Sequence, residues 1–450
     1  MKLDAEQQEA LETIADRVEA GERETIFAGL AGTGKTTVAG EFPSVLEGPH
    51  FCAYTGKAAK VLARKLNGVP SSTIHSLIYK PYETHCDNGC PRGVWLRLSI
   101  EERLQVISGK VEPPEELVPH MADAPRLGTR TLATEEWSER WPPCHRWGKN
   151  RVRCDECGVA FEKREPEELD PHIEVIVVDE ASMVGEDVYG DLLSFRRPIV
   201  WVGDHGQLPP VKGGLNIMRR PHDAVLEEIR RTGEGSAIAI LGKEVRATGR
   251  IPWGERGSEV RKVRDQPWGY EVREFLEGVP WDSELLILCS MNKTRVMMNA
   301  RVRKSRGFNP DEPVIGDRVI CLQNSRDEGL ANGSTGTILN IGPSRDRRGR
   351  LLEHNLTWDA SIELDHENGR VWEGRINREQ FGEPSRLDEV PGFCWDYSYA
   401  MTTHKAQGSE AKRVVLLEEY IGWMSPEDQR RWLYTAVTRA TSKLLVVKNR

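Results

Sequence analysis

The sequence predicts an α/β fold built on parallel sheets, and three observations carry that expectation. The apolar run Thr25-Ile26-Phe27-Ala28 feeds the glycine-rich turn Gly29-Leu30-Ala31-Gly32-Thr33-Gly34-Lys35-Thr36, and a helix is expected to start near Lys35. A second run, Val175-Ile176-Val177-Val178, ends in Asp179-Glu180. Further runs, Pro198-Ile199-Val200-Trp201-Val202 before Gly203-Asp204 and Leu285-Leu286-Ile287-Leu288 before a helical stretch from Lys293 to Lys304, repeat the strand-then-helix pattern. Short continuous apolar runs of this kind read as strands covered by helices on both faces.

Taken in order, the elements start with a helix from Gln7 to about Ala20, followed by the first strand and its turn. The turn fits the pattern G-x-x-x-x-G-K-[ST]. Its glycines let successive backbone N–H groups face one anion, and the helix N-terminus that follows favours negative charge. Lys35 is placed to reach the outer phosphates of a nucleoside triphosphate and the Thr36 hydroxyl to ligate Mg²⁺. Asp179 is the expected Mg²⁺ carboxylate, and Glu180 the base that orients water. The pair of segments therefore predicts binding and hydrolysis of a triphosphate.

At 450 residues the chain should hold about two to four domains. Charged residues make up 29% and the net charge is −8, so a nucleic-acid surface would have to be a local basic groove, and a protein that coats DNA generally is disfavoured. No apolar run approaches the length of a membrane span, and the N-terminus shows no apolar signal region. A cytoplasmic protein is expected.

Cys52, Cys289, Cys321 and Cys394 stand alone in apolar surroundings and read as buried small hydrophobes. Five other cysteines, Cys86, Cys90, Cys144, Cys154 and Cys157, fall in one stretch. Cys154-x-x-Cys157 has the spacing of half a tetrahedral zinc site, Cys86 and Cys90 supply the other half, and Cys144 is the alternative ligand. A structural zinc with four protein ligands is expected.

Composition divides the chain further. Residues 81–172 carry these cysteines, many prolines and Trp95, Trp137, Trp141 and Trp147, which reads as an insertion with a small core. Residues 311–394 switch to strand periodicity with turn signals at Gly316-Asp317, Asn332-Gly333 and Asn368-Gly369, which reads as a small antiparallel β module. The remainder gives a first α/β lobe from 1–80 and 173–235 and a second from 236–310 and 395–450. The helix bearing Lys293, Arg295, Arg301, Arg303 and Lys304 has no acidic residue and is expected to add a basic surface.

Three more segments narrow the chemistry. Gly203-Asp204-His205-Gly206-Gln207-Leu208-Pro209-Pro210 follows a strand directly, Thr403-His404-Lys405-Ala406-Gln407-Gly408-Ser409-Glu410 precedes one, and Tyr434-Thr435-Ala436-Val437-Thr438-Arg439-Ala440 opens the last helix-to-strand passage. A glutamine at a strand end near the phosphate turn can report the outer phosphate. An arginine from a second lobe can stabilise phosphoryl charge across a cleft, which couples hydrolysis to lobe movement.

In this order the segments resemble those of superfamily 1 DNA helicases, and among them the RecD-like and phage Dda-like branch. The resemblance covers most of residues 3–80, 173–240, 285–340 and 395–447, whereas residues 81–172 match only by position. It implies two RecA-like P-loop NTPase lobes, with a zinc-binding insertion in the first and a small antiparallel β-barrel inserted in the second. It further implies an ATP-dependent helicase moving 5′→3′ on single-stranded DNA, with ATP and Mg²⁺ as cofactors.

Residue by residue, Gln7 resembles the adenine-reading glutamine. Gly29, Ala31, Gly32, Thr33, Gly34, Lys35, Thr36 and Thr37 resemble the phosphate and Mg²⁺ cradle. Gln207 resembles the γ-phosphate sensor, Arg231 a phosphate-binding arginine (Arg230 beside it leaves that register open), Glu410 the carboxylate coupling nucleotide to the second lobe, and Arg439 the arginine finger. Thr55, Lys57, Thr73 and His75 in the first lobe and Thr403, His404 and Lys405 in the second resemble strand contacts. Small hydroxyl residues and backbone N–H groups suit phosphate contact without base readout.

Relatives carry a duplex-splitting pin where this chain has 81–172, so its tryptophans could stack on a junction base or form a mini-core. The expected partners are single-stranded DNA and forks, with a single-strand binding protein or other replication proteins, and the chain is expected to act as a monomer in replication, recombination or repair. Two other readings share the same residues: a DNA-stimulated ATPase that displaces proteins, and a zinc-dependent junction-binding module with ATP as a switch.

Overall fold

The computed structural model describes residues 3–66, 69, 71–79, 169–210, 215–230, 236–309, 312–323, 325, 328–345, 357–365, 367, 369–378, 380–382 and 392–448, with 102, 105–106, 111–112, 114, 145–147, 151–154 and 160–162 between them. Contacts divide the chain into two compact units, Met1–Leu77 with Leu169–Arg450, and Ile78–Glu168. Among the described residues no helix is long and apolar enough to cross a membrane.

The strands run in chain order as β1 (Glu24–Gly29), β2 (Pro49–Ala53) and β3 (Ser71–Thr73). The smaller unit follows with β4 (His145–Trp147), β5 (Arg151–Cys154) and β6 (Ala160–Glu162), and the larger unit resumes with β7 (Val175–Asp179), β8 (Ile199–Gly203) and β9 (Ala224–Leu226). The six strands of the first lobe pair in the order β3-β2-β7-β8-β1-β9, all parallel. The register sets Ala28 opposite Gly203 and Ala53 opposite Asp179, so the turn after β1, the carboxylates after β7 and the loop after β8 leave the same edge of the sheet. Ligands of open parallel sheets gather at that carboxyl edge. The strands are apolar because both faces are buried: on one, Phe27, Phe51, Val177, Val200 and Val202 pack against Ile14, Val38 and Leu62 of the flanking helices, and on the other Ile26, Cys52, Ile176, Val178 and Trp201 are also buried.

The second lobe holds β10 (Gly254–Arg256), β11 (Val260–Arg264) and β12 (Leu285–Cys289). Next come β13 (Arg318–Cys321), β14 (Thr335–Pro343), β15 (Thr357–Leu364), β16 (Val371–Asn377) and β17 (Trp395–Tyr397), and the chain ends with β18 (Ala400–Thr402), β19 (Ala411–Glu418) and β20 (Ala440–Lys448). The lobe sheet runs β10-β11-β20-β19-β12-β18 and is parallel except at β10. The inserted module is a five-stranded antiparallel sheet, β16-β15-β14-β13-β17. Its last strand lies just past residue 394.

The basic helix is a correction. Asn292–Ser305 is helical, but Arg295 is 5% exposed and Arg303 fully buried. Arg295 pairs with Asp396, and Arg303 pairs with Asp317 while donating to the Tyr397 hydroxyl. Asp317 also accepts from the Tyr399 hydroxyl at 2.6 Å. These arginines join the lobe to the β module, so the helix presents no continuous basic face. An unpaired buried guanidinium would be prohibitively costly, and paired ones lock the joint's geometry.

In the smaller unit, β4, β5 and β6 form an antiparallel sheet with His145 opposite Cys154 and Arg151 opposite Glu162. Cys86, Cys90, Cys144 and Cys157 lie outside the described residues, and Cys154 is described only as the last residue of β5. Trp95, Trp137 and Trp141 also lie outside them, and Trp147 ends β4. Among the described residues no group of His, Cys, Asp and Glu fits a metal ion. The four solitary cysteines are buried free thiols, as expected.

Candidate active site

The phosphate turn takes its shape from two glycines. Gly32 and Gly34 sit at φ 82° and 94°, a region that side chains disfavour. A Cβ on Gly34 would also lie 2.4 Å from the Gln7 amide nitrogen, so Gln7 rests directly against the turn. Gln7 is held there by a reciprocal cap, its N–H donating to Asp4 Oδ1 and its Oε1 accepting from the Asp4 N–H. The Lys35 ammonium folds back to donate to the carbonyls of Gly29 (2.8 Å) and Leu30 (2.9 Å). Thr36 and Thr37 lie in the first turn of the helix Lys35–Ala39.

Asp179 ends β7, and Glu180 follows at φ 54°, a left-handed conformation costly for a residue with a Cβ. Such strain persists where the surrounding fold imposes it, and it clusters at functional sites. Both carboxyls are raised above their ordinary range. Burial is the largest cause for each, and the Asp179 charge adds to it at Glu180. Lys35 pulls both down, and the guanidinium of Arg439 pulls Glu180 down. Arg439 is itself buried, donating to the carbonyls of Thr435 (3.0 Å) and Ser409 (3.2 Å) and to the Thr438 hydroxyl (3.2 Å). Lys35, Asp179, Glu180 and Arg439 thus share one electrostatic site. Gln207 is buried beside it in the loop after β8, and its Oε1 has no partner. An orphaned buried amide oxygen is costly and points to a ligand or water that completes it.

The residues present fit a magnesium triphosphate: a glycine cradle of N–H donors, a lysine, a hydroxyl at a helix start and a carboxylate with a raised affinity for positive charge.

Sequence reasoning missed two contacts of the last helix. Tyr434, on the helix Pro426–Val437, accepts from the Ala31 N–H of the phosphate turn (3.0 Å) and donates to Asp204 Oδ2 (2.8 Å). The same helix grips the β8 loop through Arg431, which donates to the carbonyls of His205 and Gln207, and Thr435, which accepts from Leu208 N–H. Arg230, which the sequence offered as the alternative register to Arg231, also reaches the turn. Its N–H donates to Gly32 O (2.8 Å), its guanidinium donates to Thr33 O (2.9 Å), and Asp4, Glu6 and Glu228 surround it. Arg231 lies outside the described residues. Glu410 sits 4.0 Å from the Lys65 ammonium of the first lobe. Tyr434 and Asp204 were both inside motifs already picked out, but no sequence spacing signals that they meet.

The strand-contact candidates divide. Thr55 caps the helix Gly56–Lys65, accepting from Ala58 N–H, and a Cβ on Gly408 would lie 3.5 Å from Ala58 Cβ, so the two lobes' candidate segments adjoin. A Cβ on Gly56 would meet Ala331 of the β module at 2.0 Å. Thr73 and Ser76 exchange hydrogen bonds, and His75 packs edge-on to Tyr54. Thr403 is fully buried, with its hydroxyl donating to Cys289 O, whereas His404 is half-buried, its imidazole pushed down by burial, and Lys405 is exposed. The Lys57 side chain lies outside the described residues.

Comparison with known proteins decides the family. The AAA domain family matches residues 2–265, more than half the chain, and the UvrD-like helicase C-terminal domain matches 397–447. The chain belongs to the superfamily 1 RecD-like helicases. This RecD-like chain is 25% identical over 289 residues to the ATP-dependent RecD2 DNA helicase of Deinococcus radiodurans, covering 60% of itself and 36% of that protein. It is 28% identical over 336 residues to the RecBCD enzyme subunit RecD of Mycobacterium tuberculosis, covering 64% of itself and 52% of that subunit. The RecD-like chain therefore spans about half or less of the length of these relatives. Among solved structures, its fold matches a Pif1 helicase from a study of forked-duplex unwinding by two coordinating Pif1 helicases, with TM-score 0.52, 16% identity and coverage of 99% and 92% of the two chains. It also matches Bacteroides Pif1 bound to single-stranded DNA at TM-score 0.50, 16% identity and the same coverage.

Proposed function

We propose that the chain is an ATP-driven DNA helicase that moves 5′→3′ along single-stranded DNA and opens duplex at forks, in replication, recombination or repair. The observation that carries the reading is the joint site: Lys35, Asp179, Glu180 and Gln207 of one lobe with Arg439 of the other. The printed function of the Deinococcus relative, an ATP-dependent DNA helicase, supports the activity.

The chemistry follows from the side chains. Glu180 accepts a proton from the attacking water, and the free Gln207 Oε1 orients that water by accepting its second hydrogen. Lys35 leaves the carbonyls of Gly29 and Leu30 to meet the outer phosphates, and Thr36 and Asp179 are the residues that would hold Mg²⁺. Bound Mg²⁺ supplies neutralising charge on the transferred phosphoryl. Arg439 stabilises the same charge only while the lobes are closed, so loss of the phosphate releases the second lobe. Thr55, Thr73, His75, His404 and Lys405 line the proposed strand path, and Arg230 or Arg231 serves the phosphates. A structural zinc on Cys86, Cys90, Cys154 and Cys157, with Cys144 as alternative, belongs to the same proposal on the strength of the ligand spacing.

The test is unwinding of matched duplexes with a 5′ or a 3′ single-stranded tail, with Lys35→Ala as control. Opening of the 5′-tailed duplex alone, lost in Lys35→Ala, is the expected outcome. Opening of the 3′-tailed duplex alone would refute the polarity. DNA-stimulated ATP turnover with neither duplex opened would refute unwinding.

A further inference from the structure

A cavity of about 310 Å³ lies beside Tyr434, lined by His205, Arg219, Arg246, Arg430 and Arg431 and by the carboxylate of Glu427. Four arginines converge there. Two are committed: Arg219 pairs with Glu427 at 2.9 Å, and Arg431 pairs with the same carboxylate at 3.1 Å while holding the His205 and Gln207 carbonyls. Arg246 and Arg430 have no carboxylate partner among the described residues. Two partly solvated guanidiniums on facing helices leave the cavity with excess positive charge and planar forks that suit an oxyanion.

His205 completes the lining. Its Nδ1 is buried and without a hydrogen-bond partner, so that atom does not open on the cavity. Burial and then the Arg246 charge push its imidazole down to about 4, with His222, whose ring lies 4.9 Å away, adding to the effect. The imidazole is therefore neutral at physiological pH and adds no charge to the cavity. Cationic forks and room for a tetrahedral oxyanion match a phosphoryl group, whose several oxygens can serve both guanidiniums.

We propose that this cavity is a phosphoryl-binding site, separate from the nucleotide cradle, in which Arg246 and Arg430 hold the oxygens of a free phosphate or of a nucleic-acid backbone. Its walls include the loop that carries Gln207, the helix Ala237–Thr248 that carries Arg246 and the helix Pro426–Val437 that carries Arg430 and Tyr434. A bound anion neutralises the two arginines and ties these two helices together beside the Gln207 loop that Arg431 holds, without touching the reacting atoms.

The test uses the full chain carrying Lys35→Ala, which weakens the phosphate cradle. Labelled orthophosphate is titrated by equilibrium dialysis. One bound phosphate per chain is expected, weakened by about tenfold or more in Arg246→Gln/Arg430→Gln. Arg430 is exposed, so Arg430→Gln alone leaves the fold intact and should still weaken binding. Absence of binding in the Lys35→Ala chain, or binding unchanged by both arginine variants, overturns the proposal. Displacement of the label by an oligothymidylate assigns the site to backbone phosphate, and retention of the label assigns it to free phosphate. None of these readings depends on ATP turnover, so they stand or fall apart from the helicase proposal.

Discussion

Two regions of the larger unit bury the same kinds of residue to opposite ends. At the joint between the second lobe and the β module, Arg303, Asp317, Tyr397 and Tyr399 are buried and satisfy one another. At the phosphate turn, Asp179 and Glu180 are crowded together, Glu180 is strained and Gln207 Oε1 is orphaned. Burial of charge is common to both, and what differs is whether partners are already in place. A completed network fixes geometry, whereas an incomplete one stores a demand that a ligand meets.

The sharpest way to break this contrast is Glu180→Gln. Turnover of ATP should fall by about 10²- to 10⁴-fold, the loss typical of a general base, while nucleotide binding persists. Stability should move the other way. Asp179 and Glu180 hold their protons more tightly folded than unfolded, so their contribution favours the folded state at low pH and is lost as pH rises through the raised values. Glu180→Gln removes part of that loss, so its melting temperature should exceed the parent's at pH 7 and match it near pH 4. A lower melting temperature at pH 7 would place Glu180 with the architectural charges.

Arg303→Met makes the opposite prediction. It strands Asp317 in the core and should cost about 3–5 kcal/mol in denaturant unfolding, while turnover per folded molecule stays near the parent's. Adding Asp317→Asn should recover much of the loss. A catalytic defect without a stability defect would undo the distinction between the two regions.

The smallest effect is expected at Tyr434→Phe, which removes the bridge from Ala31 N–H to Asp204. A stability cost of about 1 kcal/mol is expected. DNA-stimulated ATP turnover should fall more than basal turnover, because the hydroxyl links the phosphate turn to the second lobe. Equal reduction of the two rates would make the bridge a packing contact only.

Much of the site was legible because its chemistry is local. Gly32, Gly34, Lys35 and Thr36 shape one turn by their own backbone preferences, and Asp179-Glu180 ride on a strand whose apolar run announces it. The four solitary cysteines read as buried for the same reason: their neighbours are apolar. The arginines of Asn292–Ser305 misled because a helix rich in basic residues looks the same whether its partners are water or carboxylates 14 and 101 positions away.

The sequence by itself determined the two α/β lobes, the phosphate cradle, its lysine and its carboxylates, since strand register at a parallel sheet's carboxyl edge brings such turns together once the strands form. Tertiary structure alone decided that Tyr434 bridges Ala31 and Asp204, that Arg230 clamps Thr33, and that Arg303 belongs to the core. Each of these depends on a partner far away in the chain, and hydrogen bonds and ion pairs are set by where packing delivers the two groups rather than by the residue types that flank them.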